Sequence, residues 1–493
     1  MLKRNRNPGK TLVIGSGVGG LSTGILLAKL GYSVTIVEKN TLAGGLMRGY
    51  RRRGYDCPVG IHYLGALAAG QPLRRLWDCL GVASDIAPER MGVNGPIDRY
   101  VFDDFEFDLP EGLEAFEDNL RKSFPQEQSQ ITAFMEGLQN VFQGFARLDM
   151  LTNTAGTVVS LESFSPMGDY LARLHCSPRL VSVLGVPATL IGVPLRDCPR
   201  FFYYMILASY LLSSWRLKES SSLLAETFVR RFQMLGGELL SGDGALHILA
   251  DADRLRGLRL QSGRELAADT IIAAIHPQNV MSMLPGESLH SDHSARIKGF
   301  ENTKGLFVAT LTVDTKGHEA LPYNLYRLHP EADGSLQHGL FLQIRESTWP
   351  DKLLLTMMTT SGIESWRPWL YTRSGQRGED YDEAKRKKAE TFIAEAQALF
   401  GPLHGMEMID TYTPLTIRDW VGSPEGSAYG IMRTSGQLMK TSCLNRPSIP
   451  GLYFAGQNIL APGIMGTTLG SFQTVRRIIG QERFGREVWE GRC

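Results

Sequence analysis

Hydrophobic positions along the chain fall into alternating strand-like and helix-like stretches. Leu12, Val13 and Ile14 form a short unbroken apolar run, the mark of a strand buried on both faces. Leu21, Ile25, Leu26, Ala28 and Leu30 then recur at helical spacing, and Val34, Ile36 and Val37 start a second strand that ends on Glu38. A helical and mixed stretch follows from Leu73 to Leu235, with loops at Pro110, Pro125 and Pro166, and ends in an amphipathic helix over 223–232. Strands are predicted next over Leu255–Leu260 and Thr270–Ile275, later over Leu306–Val313 and Leu353–Thr359, with a long helix from Tyr381 to Phe400. Strands alternating with helices in this way predict an α/β fold with a parallel sheet.

The punctuation between the first three elements narrows the chemistry. Gly15-Ser16-Gly17-Val18-Gly19-Gly20 follows the first strand and opens the helix, and Glu38 lies about 20 residues on. Gly15 suits the tight turn, Gly17 lets backbone approach a pyrophosphate, and Gly20 lets helix and strand pack closely. The helix N-terminus offers its free N–H groups to the phosphates, and Glu38 can accept both ribose hydroxyls of an adenosine. A second glycine turn, Ala43-Gly44-Gly45-Leu46-Met47-Arg48, would lie over the same phosphates. Near the C-terminus, Gly451-Leu452-Tyr453-Phe454-Ala455-Gly456-Gln457 is another strand running into glycine, followed by the small-residue helix start Gly463-Ile464-Met465-Gly466. Parts from both chain ends that converge on one extended dinucleotide predict non-covalently bound FAD. Its expected neighbours are Gly15, Gly17, Val18, Gly19, Gly20, Glu38, Lys39, Gly44, Gly45, Leu46, Ile61, His62, Ala245, Gly456, Gln457, Gly463, Ile464, Met465 and Gly466. Cys443 and His62 are the only candidates for covalent flavin attachment, and weak ones.

Composition removes several alternatives. A net charge of +1 over 493 residues makes no case for nucleic acid, and Arg51-Arg52-Arg53 reads as a local, solvated run. The six cysteines show no CxxC or paired spacing, which predicts reduced thiols, a cytoplasmic setting and no metal site. His290 and His293 sit among Ser and Asp, as in a solvent loop. No signal peptide is expected, because the apolar run after the basic start belongs to the glycine turn. The longest apolar segment, Phe201 to Leu212, is too short to span a bilayer. It reads as a core helix, or alternatively as the lining of an apolar tunnel (Phe201, Phe202, Tyr203, Met205, Tyr210) or a peripheral membrane contact.

Tyr55-Asp56-Cys57-Pro58-Val59-Gly60-Ile61-His62-Tyr63-Leu64-Gly65 resembles the motif after the flavin turn in retinol saturases and their bacterial relatives. Thr413-Pro414-Leu415-Thr416, the block Gly422 to Gly430 and the closing run Gly451 to Thr468 resemble signatures of the wider family that includes phytoene desaturases and carotenoid isomerases. The order of these blocks agrees over nearly the whole chain. The resemblance implies a Rossmann-type FAD-binding domain of the glutathione-reductase or amine-oxidase kind, interleaved with an α+β substrate domain. The FAD-binding parts would be residues 10–72, 223–285 and 413–493, and the substrate parts 73–222 and 286–412. It also implies an enzyme acting on a carbon–carbon double bond of a hydrophobic isoprenoid or polyene, as saturase, desaturase or isomerase.

Hydride transfer to one alkene carbon requires a proton for its neighbour, and His62 and Tyr63 are the first candidates for that role, with Glu425 and Tyr429 as helpers. The chain departs from the family pattern at Glu219-Ser220-Ser221-Ser222, where many relatives carry a Gly-Gly pair, and at the inserted Cys57-Pro58-Val59. With no second glycine-rich dinucleotide fold, the electron partner is open between transient NAD(P)H, a quinone and another protein. Two other classes stay open: an amine-oxidase-type flavin oxidase with an aromatic cage, and an inactive flavoprotein or lipid carrier.

Overall fold

The computed structural model describes residues 9–152, 161–217, 221–251, 254–285, 291–445 and 449–489. Glu219, Ser220, His290 and the last of the six cysteines, Cys493, lie outside them.

Three stretches of chain far apart in sequence build one five-stranded parallel sheet, in the order Glu238–Ser241, Val34–Glu38, Thr11–Ile14, Thr270–Ala273, Leu452–Phe454. Burial on both faces explains the unbroken apolar run of its central strand. Val13 packs on one face with Leu21 and Ile25 of the helix Val18–Lys29 and with Phe472 of the helix Gly463–Ile479. Leu12 and Ile14 point the other way, onto Ile248, Leu258 and Leu260 of a three-stranded antiparallel meander. The Ser471 hydroxyl donates to the Gly19 carbonyl (3.0 Å) and so ties the last helix to the first.

A second sheet has seven strands, in the order Glu407–Tyr412, Gly305–Asp314, Lys352–Ser361, Leu336–Glu346, Asn324–Pro330, Asp98–Val101, Glu106–Leu109. It is antiparallel except where Asn324–Pro330 runs parallel to Asp98–Val101. The pattern of hydrophobic positions located only two of these strands. It missed the pairs around Asp98 and Asn324 because their inward positions carry polar residues.

Alternation assigns the two faces of this sheet. Leu340, Leu342, Leu355 and Phe307 pack beneath the helix Glu379–Phe400. Tyr326, Leu328 and Phe341 face a layer of helices that includes Gln128–Arg147, Pro178–Thr189 and Arg200–Leu212. The hairpin Gly49–Arg52/Tyr55–Pro58 packs on the second sheet, with Tyr55 and Cys57 against Leu354 and Ile409. Its three arginines are exposed and paired, Arg51 with Asp56 (3.3 Å), Arg52 with Asp410 (3.7 Å) and Arg53 with Glu407 (2.9 Å).

Cys57, Cys176, Cys198 and Cys443 are free thiols, whereas Cys79 is disulfide-bonded, which corrects the expectation that every cysteine is reduced. Among the described residues no helix is long and apolar enough to cross a membrane, and no group of three or more His, Cys, Asp or Glu could hold a metal ion.

Candidate functional site

The glycine turns meet at the carboxyl ends of the parallel strands. Gly15 adopts a positive φ of 94°, which turns the chain sharply out of its strand. Gly20 packs so closely that an added Cβ would lie 1.9 Å from the Gly15 carbonyl oxygen, and one on Gly19 would lie 2.5 Å from Cα of Gly456. Gly17 differs, because a Cβ there would meet nothing within 4 Å. It caps the helix Val18–Lys29 with no side-chain hydrogen bond, so the first-turn N–H groups face this open cradle. Gly45 (φ 55°) brings the second turn over the first, 3.0 Å from a Cβ on it to Cα of Gly17. The closing helix also lacks a side-chain cap, and its Gly463 (φ 75°) likewise faces open space. Two uncapped helix starts bordered by open glycine positions fit a dinucleotide's phosphates and ring.

Glu38 is buried at the end of its strand. One carboxylate oxygen accepts from the Ser16 amide (3.0 Å) and hydroxyl (2.6 Å), the other from the Asn40 amide and side chain (2.9 Å each). All four acceptor positions are therefore engaged, and a ribose hydroxyl would have to displace one of these donors; the Ser16 hydroxyl also accepts from the Gly44 amide (3.2 Å). Burial lowers the pKa of the neighbouring Lys39, whose ammonium donates to the Asp419 carbonyl (3.0 Å). Ala245 is the first residue of a meander strand, beside the same strand ends.

A cavity of about 1200 Å³ opens beyond the cradle. Gly463, Ile464, Met465 and Gly466 line it together with Ile61, His62 and Tyr63, segments about 400 positions apart in the chain. The helix Arg200–Leu212 contributes Met205, Ile206, Ser209 and Tyr210, one stripe at helical spacing, and the second sheet contributes Tyr326, Leu328, Phe341 and Met358. Phe201, Phe202 and Tyr203 do not reach it. Phe201 packs on Phe164 and Phe202, and the Tyr203 hydroxyl donates to the Leu184 carbonyl (2.7 Å) within a closed core. The aromatic segment is thus part lining and part core, split by helical phase.

All four candidates for proton chemistry line this cavity. Both His62 ring nitrogens are shielded from solvent without a hydrogen-bond partner, and the ring lies 5.4 Å from that of Phe341. Burial, helped by the nearby Arg345 cation, lowers its pKa to about 4, so the imidazole is neutral at physiological pH. The Tyr63 ring packs at a tilt against that of Tyr210 (centroids 4.6 Å apart), and its hydroxyl is shared with Asp98 (3.2 Å) and Tyr326 (3.0 Å). Burial raises its pKa well above the usual phenol value, keeping it protonated. Tyr429 also lines the cavity, with its pKa raised to about 12 by burial. Glu425 stands apart. It is exposed at the rim, in a left-handed backbone conformation (φ 56°), with only a 3.5 Å contact from Asn302.

The polar support under Tyr63 is not apparent from the hydrophobic pattern of the sequence. Asp98 (1% exposed) accepts from the Asn324 side chain (2.8 Å), and Asn324 accepts in turn from Arg216 (2.9 Å) and Gln343 (2.9 Å). Gln343 also donates to the His62 carbonyl (3.3 Å). The available signal was an acid in phase with Tyr100 and Phe102 on an otherwise inward-facing strand.

These shifts give a pH dependence of stability with opposed signs. His62 and His276, both lowered from 6.5 to about 4 by burial, bind fewer protons folded than unfolded, so their contribution is lost as pH falls from 6.5 toward 4. Asp98, raised from 3.8 to about 7, binds more protons folded, so its contribution is lost as pH rises through 7. His62→Gln should therefore shrink the drop in Tm between pH 7 and pH 5. An unchanged drop would assign the acid loss to other groups.

With this geometry in view, residues 13–80 match the family described as an NAD(P)-binding Rossmann-like domain. Over 515 residues the chain is 25% identical to the rat all-trans-retinol 13,14-reductase, covering 93% of this chain and 84% of the relative. It is 24% identical to the Myxococcus xanthus all-trans-zeta-carotene desaturase, covering 90% and 88%. Over almost its whole length the chain is similar to members of the retinol saturase and carotenoid desaturase family. Among solved structures, a putrescine oxidase with putrescine bound superposes with a TM-score of 0.65 at 13% identity, covering 96% of this chain and 99% of that one. This chain thus has the fold of that oxidase, and it is an oxidoreductase.

Proposed function

We propose that the protein is an FAD-dependent reductase of a carbon–carbon double bond in a long hydrophobic isoprenoid or polyene. In this reading Gly15, Gly17, Gly20, Gly44 and Gly45 carry the pyrophosphate, Glu38 the adenosine ribose, and the Gly463–Gly466 helix start the flavin ring. The interleaved FAD-binding and substrate segments of the sequence reading belong to the same proposal. Bound flavin, once reduced by the electron donor, would supply the hydride. The observation that carries the proposal is the cavity, in which a buried protonated phenol and an apolar wall share one space with the closing helix start. Its 1200 Å³ exceeds the ~300–1,000 Å³ of ordinary ligand pockets, leaving room for a flavin ring and an extended chain together.

Burial ranks the proton donors. A neutral imidazole with a pKa near 4 is a poor acid, whereas a phenol kept protonated can donate to a carbon that has received hydride. Tyr63 is therefore the donor, with His62 shaping the site. The electron donor, whether transient NAD(P)H, a quinone or a protein, and a peripheral membrane contact for delivery of an insoluble ligand complete the proposal.

Anaerobic stopped-flow separates the classes. Flavin reduced by dithionite should be reoxidised by all-trans-retinol or a carotene. Oxidised flavin should stay oxidised when aliphatic amines are added. Bleaching by amines with no response to polyenes would replace this reading with an amine-oxidase one, and bleaching by a carotene alone would reverse the direction to desaturation.

A further inference from the structure

We propose that Asp98 is the positioning and proton-loading residue for Tyr63, supplying the proton that Tyr63 passes into the cavity. This rests on the reductase reading and goes beyond it by naming where the donor is recharged.

The geometry is a single line of hydrogen bonds. Asp98 Oδ2 lies 3.2 Å from the Tyr63 hydroxyl, which lines the cavity, while Asp98 itself lies behind it. The other carboxyl oxygen is held by the Asn324 side chain at 2.8 Å, so the group cannot rotate away without breaking that bond. Asn324 is pinned in turn by Arg216 and Gln343 on its side-chain oxygen. Three strands supply this chain: Asp98 from Asp98–Val101, Asn324 from its parallel neighbour and Gln343 from the next strand. Asp98 and Asn324 are directly paired in register, which places the two side chains on the same face of the sheet.

A buried carboxyl with only neutral hydrogen-bond partners is an odd component for structure alone, because its ionised form loses more by desolvation than such partners return. It is suited to alternate between forms. Burial pushes its pKa up to about 7, opposed by Asn324, Tyr63 and the Arg216 cation. The charged and titratable groups around it are Arg216 and the phenols of Tyr63, Tyr100, Tyr210 and Tyr326, and Arg216 in turn feels Glu89 and Arg345.

The proton inventory balances. The Tyr63 O–H bond breaks as a C–H bond forms on the alkene carbon next to the one that received hydride. The Asp98 O–H bond breaks as the Tyr63 O–H bond re-forms, and the charge ends as a carboxylate hydrogen-bonded to Asn324. A proton from solvent water restores Asp98 when the product leaves. A lone phenol would instead be stranded as phenolate inside an apolar cavity.

The test uses the FAD-loaded full-length protein, with all-trans-retinol as probe and dithionite as reductant. Asp98→Asn keeps the shape and the Asn324 contact but holds no transferable proton. Single-turnover flavin reoxidation should slow roughly 10²-fold or more, with unchanged flavin content and probe affinity, and the pH limb near 7 should disappear. Infrared titration of the unsubstituted protein needs no turnover and no variant. A protonated-carboxyl band should be present at pH 6 and lost by pH 8. Asp98→Asn with normal rate and pH profile, or the absence of any such band, would overturn the assignment. Tyr63→Phe keeps the two ideas apart. If Tyr63→Phe is slow while Asp98→Asn is normal, only the loading role fails, and if both are normal the donor reading itself fails.

Discussion

Gly17→Ala should yield a folded, nearly colourless protein, while Gly20→Ala should yield little soluble protein at all. The two glycines are three residues apart in one motif, yet a methyl group meets opposite surroundings at each. On Gly20 it would lie 1.9 Å from the Gly15 carbonyl oxygen, a backbone atom held by the sheet, and Gly15 cannot retreat without unmaking the first strand. A clash of that kind costs more than ~4 kcal/mol, a large share of the ~5–15 kcal/mol that stabilises a domain. On Gly17 the methyl meets nothing within 4 Å, and the residue's φ of −65° suits any amino acid. The fold loses only the N-cap preference for glycine, about 1 kcal/mol. The cradle is filled, however, and a pyrophosphate could no longer approach the helix N-terminus. Flavin retained after dialysis should fall at least ten-fold, with Tm of the flavin-free protein lowered by only a few degrees. A yellow Gly17→Ala protein would move the phosphates elsewhere.

Tyr63→Phe should slow flavin reoxidation by all-trans-retinol about 10²–10⁴-fold with flavin content intact, equivalent to roughly 3–5 kcal/mol on the barrier. The substitution removes one oxygen and leaves the ring packing against Tyr210 and Phe341 in place. It also takes a partner from Asp98 and Tyr326, which costs stability on the order of 1–3 kcal/mol. A thermal shift alone would thus report lost support, and a rate loss alone lost chemistry; both are expected. His62→Gln in the same assay should be milder, because a neutral imidazole has no useful proton to give. Equal losses in the two variants would mean the ring of His62 is itself in the proton path.

The parallel sheet and its glycine turns were legible because their requirements are local. Gly15, Gly17 and Gly20 are dictated by backbone conformation and close approach over six residues, and Glu38 by the length of one helix and one strand. The same holds for the final strand and Gly463, whose signature needs no knowledge of the rest of the chain. The second sheet was legible only in outline. Leu306–Val313 and Leu353–Thr359 stand out as apolar strands, and in the structure both sit inside the longer strands Gly305–Asp314 and Lys352–Ser361. Asp98, Asn324 and Gln343 interrupt the apolar pattern of their strands, so the partners of those strands could not be read from periodicity.

The order of glycines, strands and helices along the chain determined the α/β scaffold and the dinucleotide cradle, since turn sterics and hydrophobic periodicity act between residues a few positions apart. Which segments of the aromatic helix line a cavity, which of His62 and Tyr63 keeps a proton, and where Tyr63 finds its hydrogen-bond partners were decided by tertiary structure alone. Protonation depends on desolvation and on neighbours brought from strands more than 200 positions apart, as Asp98 and Asn324 are. No local pattern carries that distance.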